Sequence, residues 1–177
     1  MTRLLTIVAL LFLVAPAALA AQPGPPGSSS SKACKAQRNA IGMAAFRQLY
    51  APTGTPKAAM DACLAQQVLL VSTETKNAAK ACKAERGTTP ESKAAFETRW
   101  GTNENKKNAF GKCVSETSTE EVAEARQATL NAAKECKAER GTSASTRTAF
   151  AEEYGTNANK RNAFGKCVSE KVKPAQS

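Results

Sequence analysis

Two stretches of this chain are nearly the same. Residues 77–116 read NAAKACKAERGTTPESKAAFETRWGTNENKKNAFGKCVSE, and residues 131–170 read NAAKECKAERGTSASTRTAFAEEYGTNANKRNAFGKCVSE. Internal repetition constrains the fold before any other feature, because each copy must build the same supersecondary unit. Cys82 aligns with Cys136 and Cys113 with Cys167, a period of 54 residues. A diverged first copy spans residues 33–66, with Cys34 and Cys63 in the matching places. Its register is fixed by spacing: Tyr50, Trp100 and Tyr154 each precede the second cysteine by 13 residues, and Phe46, Phe96 and Phe150 each stand 4 residues earlier. Met60 takes the place of Phe110 and Phe164, which keeps a flexible apolar filler there.

Each full unit reads as about three short helices. The first carries Ala78, Ala79, Cys82 and Glu85 at helical spacing and stops at Gly87, a residue suited to a left-handed cap. Thr89 caps the second, with Pro90 at its first position. The third is expected from Thr102 or Asn103, with Lys106, Ala109, Phe110, Cys113 and Val114 on its inner face. Gly111 is unfavourable inside a helix by about 1 kcal/mol relative to Ala, which suggests a neighbouring helix close by. Between units, Ser118 to Glu121 matches a capping box and predicts a helix restart; a continuous bridging helix is the competing reading. The run Val68-Leu69-Leu70-Val71 is expected to pack between copies one and two, with a partner-binding patch as the alternative. The fold class is therefore all-α: tandem disulfide-stapled helical repeats in an elongated array.

The six cysteines admit fifteen pairings by count alone. With two per copy, the economical set is Cys34–Cys63, Cys82–Cys113 and Cys136–Cys167. A metal site is disfavoured, since the chain has no histidine and no copy owns four ligands. Each unit has a thin core of two rings, an aromatic, some alanines and a valine, and domains this small usually need a staple. Closing about thirty residues with a disulfide is worth about 3–4 kcal/mol in the chain-entropy model.

Upstream, residues 1–20 read as a secretory signal peptide: Arg3, an apolar run from Leu4 to Val14, then Ala18-Leu19-Ala20, with cleavage near Ala20 or Ala21. A membrane anchor is the other reading, but Pro16 leaves the apolar run short for a span. Residues 21–32 are a Pro/Gly/Ser-rich linker, and residues 171–177 a flexible tail. The mature chain is thus expected to be secreted, without stable membrane insertion.

The string NxxKxNAFGKCVS after a YGTN or WGTN turn resembles a cysteine-containing helical repeat of uncharacterised exported bacterial proteins. The resemblance covers copies two and three well and copy one poorly. It implies an exported bacterial protein and supports the repeat boundaries. It assigns no catalytic or binding residue.

Chemistry in the sequence is sparse. Without histidine, the commonest general base and metal ligand is missing, so no enzyme activity, cofactor or metal is expected. Glu85 and Glu139 recur beside Arg86 and Arg140, where charge pairing or helix capping outweighs catalysis. Asn103, Asn105 and Asn108, with Asn157, Asn159 and Asn162, are candidates for a polar recognition surface. The expected role is an extracellular interaction or structural module for an unidentified envelope or extracellular partner. The alternative is a binder of polyanions, such as envelope polymers or extracellular nucleic acid. Its candidate contacts are Lys106, Lys107 and Lys112, repeated as Lys160, Arg161 and Lys166, in a chain of net charge +10. Acidic residues interleave with these cations, the usual pattern of a solvated helix face.

Overall fold

Where a capping threonine or serine meets proline or alanine in this chain, a helix begins. Thr55 Oγ1 accepts from Ala58 N ahead of Pro56, Thr89 Oγ1 from Ser92 N ahead of Pro90, and Ser143 Oγ from Thr146 N ahead of Ala144. The structure, a computed structural model, describes residues 26–172. The described residues form seven helices and no strand: α1 (Pro26–Ile41), α2 (Met43–Tyr50), α3 (Pro56–Arg86), α4 (Pro90–Trp100), α5 (Ala109–Arg140), α6 (Ala144–Tyr154) and α7 (Ala163–Val172). The proposed signal peptide lies outside the described residues.

Two helices run far longer than the short helices expected within one unit. α3 has 31 residues and α5 has 32, each roughly 48 Å at 1.5 Å per residue. Each carries the last helix of one copy straight into the first helix of the next. The restart expected at Ser118 is absent: Ser118 Oγ donates back to the Ser115 carbonyl at 3.3 Å inside an unbroken α5. Val122 is 5% exposed in that stretch. Tertiary burial outweighs the local capping pattern, since helix stability comes mostly from packing an apolar face. Both long helices end at a glycine with positive φ, Gly87 at 62° and Gly141 at 63°.

The linker and the tail differ from expectation at their edges. Residues 26–32 belong to α1, which begins on Pro26, and Ser30 is buried; packing of α1 on α5 and α3 overrides the weak helix propensity of four serines. Lys171 and Val172 close α7, and Lys171 Nζ stands 3.2 Å from Glu139. Val68 and Leu69 are 57% and 67% exposed, so that part of the apolar run faces out of α3 rather than between copies. The third helix of a unit starts later than expected. Lys106 lies in the preceding loop with φ 56°, and α5 opens at Ala109.

Three disulfides, Cys34–Cys63, Cys82–Cys113 and Cys136–Cys167, join α1 to α3, α3 to α5 and α5 to α7, with Cα–Cα distances of 6.0 Å. The copies do not stack in chain order. α3 and α5 pack along each other, α1 packs on α5, and α2 packs on α7. Copies one and three therefore share one core, which holds Cys34, Ile41, Ala45, Phe46 and Cys63 together with Ala133, Cys136, Phe150, Phe164 and Val168. Copy two has its own small core of Cys82, Phe96, Ala109 and Cys113, flanked by Trp100, Phe110 and Val114. The α3/α5 hairpin joins the two cores. At its middle, Arg126 Nε donates to Gln67 Oε1 at 2.6 Å.

Candidate functional site

Each unit is anchored by one polar bond under its second helix. Tyr50 donates to Gln37 Oε1 at 2.6 Å, Trp100 Nε1 to Glu85 Oε1 at 3.0 Å, and Tyr154 to Glu139 Oε1 at 2.6 Å. The acceptor stands three residues after the first cysteine in every copy. Glu85 and Glu139 thus serve the aromatic of the next helix, not the adjacent arginine expected from sequence. Arg99 adds a second bond to Glu85 at 2.8 Å. Arg86 and Arg140 instead lie over the rings of Phe110 and Phe164, 5.4 and 5.5 Å from their centroids.

These bonds set the titration of the anchor. Burial, partly offset by the Gln37 bond, pushes the Tyr50 hydroxyl up to about 12. The Tyr154 hydrogen bond, joined by Lys171, holds the Glu139 carboxyl below its usual range despite some desolvation. A carboxylate with a depressed folded pKa stabilises the fold above its unfolded pKa of about 4.3, and that contribution disappears as pH falls through the folded value. Glu139→Gln, which installs the neutral acceptor that copy one already uses at Gln37, should keep the Tyr154 bond. The variant should be less stable than the parent at pH 7 and lose less stability between pH 7 and pH 3, as read by denaturant unfolding at several pH values followed by circular dichroism. An unchanged pH dependence would mean the carboxylate charge contributes nothing.

The asparagines expected as a recognition surface are largely spent inside the loop. Asn108 Oδ1 accepts from Thr102 N and Asn103 N while its Nδ2 donates to Thr102 Oγ1 at 2.6 Å; Asn162 repeats this with Thr156 and Asn157. Asn105 and Asn159 accept from Lys107 N and Arg161 N. The basic trio is divided. Lys106 and Lys160, both with positive φ, donate from Nζ to the carbonyls of Gly101 at 2.9 Å and Gly155 at 3.0 Å, and Lys160 also pairs with Glu152 at 3.5 Å. Lys107, Lys112, Arg161 and Lys166 have exposed side chains. One cation per unit is thereby committed to holding the loop.

A larger surface emerges when copies two and three are compared residue by residue. In copy three, Ala133, Phe164 and Val168 are 0%, 2% and 3% exposed, buried in the core shared with copy one. α2 closes this face. Arg140 Nη1 donates to Gln48 Oε1, and the Leu49 carbonyl stands 3.6 Å from where a Cβ on Gly165 would be. The same residue types in copy two are Ala79, Phe110 and Val114, all only partly buried. Gly111, the counterpart of Gly165, has nothing within 4 Å of a built Cβ, so no neighbouring helix accounts for it. Arg86 has no hydrogen-bond partner among the described residues, whereas Arg140 has Gln48; the Nε of both is buried without one. Copy two carries the docking face of copy three without its cover.

The sequence reading missed this face, although a signal was present. The residues copy one uses to dock are Ile41, Ala45 and Leu49, whose counterparts are Glu91, Ala95 and Arg99 in copy two and Ser145, Ala149 and Glu153 in copy three. Ala45 is 1% exposed, whereas Ala95 and Ala149 face solvent. The second helix of copy one is the apolar one.

Among the described residues, no group of three or more His, Cys, Asp or Glu side chains could hold a metal ion, and no helix is long and apolar enough to cross a membrane. The three buried disulfides are compatible with an extracellular protein. Fold and site define a class: an all-α protein with three disulfide-closed helical units, two sharing a core and one carrying an open face. No family model, curated protein or solved structure matches the chain.

Proposed function

We propose that this chain is an exported, non-enzymatic helical repeat protein that acts outside the membrane as an interaction module, with copy two presenting the binding face. One observation carries the reading. Residues of the same type, buried in copy three beneath copy one, are partly exposed in copy two as Ala79, Phe110, Gly111 and Val114, with Arg86 over the Phe110 ring and Lys83 beside Arg86. An apolar face edged with charge is the usual form of a protein-binding surface. Export is supported by the Arg3, apolar-run and Ala-Leu-Ala arrangement together with the disulfides. On this reading the tandem copies have diverged in role: one and three pair, and two is displayed.

The test uses oxidised protein starting at residue 22, immobilised and exposed to the producer's envelope and medium. A face variant carrying Gly111→Lys and Val114→Glu is compared with the parent and with a Lys107→Gln control. Proteins retained by parent and control should be lost from the face variant. Retention of the same proteins by all three would overturn the reading.

A further inference from the structure

The cover that copy three receives says what copy two is shaped to receive. We propose that the copy two face binds a partner protein's α-helix that imitates α2: a small and an aliphatic residue at i and i+4, then a helix C-terminus beside an amide or carboxylate. The proposal rests on the reading of copy two as the binding face. In α2 those parts are Ala45, Leu49 and Gln48, with Ile41 adding apolar cover just before the helix. Gln48 reaches Arg140, and the Gln48 and Leu49 carbonyls lie 4.0 and 3.6 Å from the Cβ position of Gly165.

At this point of α7 the helix-end carbonyls, which carry the negative end of the helix dipole, lie at ordinary contact distance from where a Cβ on Gly165 would be. Copy two keeps that receptor chemistry: Gly111 for the carbonyls, Arg86 for the side-chain acceptor, and Phe110 and Val114 for the apolar pair. Lys80, Lys83 and Lys93 line a concavity beside Arg86, so acidic side chains on the partner's flank are favoured over basic ones.

A second copy of this chain is the poorer occupant. Its α2 is already seated on its own copy three, and moving it would expose one face to cover another. Its α4 and α6 leave the matching face exposed, but that face bears Arg99 and Glu153 where α2 has Leu49. Two copy two faces placed together would oppose Lys83 and Arg86 to themselves, and like charges at close range are repulsive.

The decisive experiment turns α6 into the missing helix. A donor chain carries Ser145→Ile, Glu152→Gln and Glu153→Leu, so that α6, with its native Ala149, presents the α2 pattern. Its own copy two face is closed by Gly111→Lys and Val114→Glu. Mixed with the unmodified chain at about 100 μM, where weak transient interfaces are populated, the donor should form a one-to-one complex in sedimentation velocity. The complex should vanish when the acceptor carries Val114→Glu. Donor and acceptor sedimenting independently would overturn the proposal, provided the donor keeps three disulfides and parental helicity.

If the donor does not fold, a helix-constrained peptide of residues 43–51 with Phe46 and Tyr50 replaced by alanine takes its place. It should shift the amide resonance of Gly111 and leave that of Gly165 unmoved. No shift at Gly111 rejects the helical occupant. If capture from the producer remains sensitive to the face variant while the helix probes fail, only the helix is rejected and the binding face stands.

Discussion

Replacing Cys82 and Cys113 by alanine should unfold copy two and leave copies one and three folded. The core cluster of copy two is four buried residues, Cys82, Phe96, Ala109 and Cys113, and two of them form the disulfide. Closing a chain segment with a sequence separation of 31 is worth about 3–4 kcal/mol, comparable to the whole net stability expected of so small a unit. The core shared by copies one and three is held by two disulfides and the rings of Phe46, Phe150 and Phe164, so it survives the loss. Trp100 is the only tryptophan of the chain and sits on the second helix of copy two. Its emission should shift to the red, and amide hydrogen exchange should become fast in residues 77–116 while α1, α2, α6 and α7 stay protected. Global unfolding would show that the α3/α5 hairpin couples the two cores into one cooperative unit. Unchanged emission would show that copy two stands without its staple.

What could be read from the sequence was local. Thr89-Pro90 announces α4 because a cap and its first-turn proline act within one turn. Gly87 and Gly141 announce helix ends because positive φ suits glycine. Paired spacing of Cys82 and Cys113, repeated at Cys136 and Cys167, pointed to disulfides within copies. Features that depend on distant chain were not legible by the same means. Ser118 to Glu121 carries every local mark of a helix start, yet the buried Val122 keeps α5 unbroken. Lys106 has a helix-compatible side chain, but the clamp of Asn108 on Thr102 and Asn103 takes the chain through a left-handed residue first. The pairing of copy one with copy three left its trace in Ile41 and Leu49. Reading it required asking why copy one alone is apolar where its sisters carry Glu91 and Arg99, or Ser145 and Glu153.

Phe164→Ala and Phe110→Ala remove the same ring from the same NAFGKC context and should differ sharply in cost. Phe164 is 2% exposed, touches Phe150 and lies under Arg140, in the core that joins copies one and three. Removing a buried phenylalanine leaves a cavity and costs about 3–5 kcal/mol. Phe110 also meets its partners, Phe96 and Arg86, but part of its ring faces water already. The transfer free energy recovered per unit area is the same, and less area is lost, so a cost of about half is expected. Denaturant unfolding followed by far-ultraviolet circular dichroism reads the first variant, and Trp100 emission reads the second. The comparison also isolates the role of copy one as a cover: in an Ala45→Glu background α2 no longer seats on α7, and the cost of Phe164→Ala should fall toward that of Phe110→Ala. Equal losses for the two rings in the parent would mean that copy two's face is buried in solution too. The contrast between the two copies, on which the binding face rests, would then be gone.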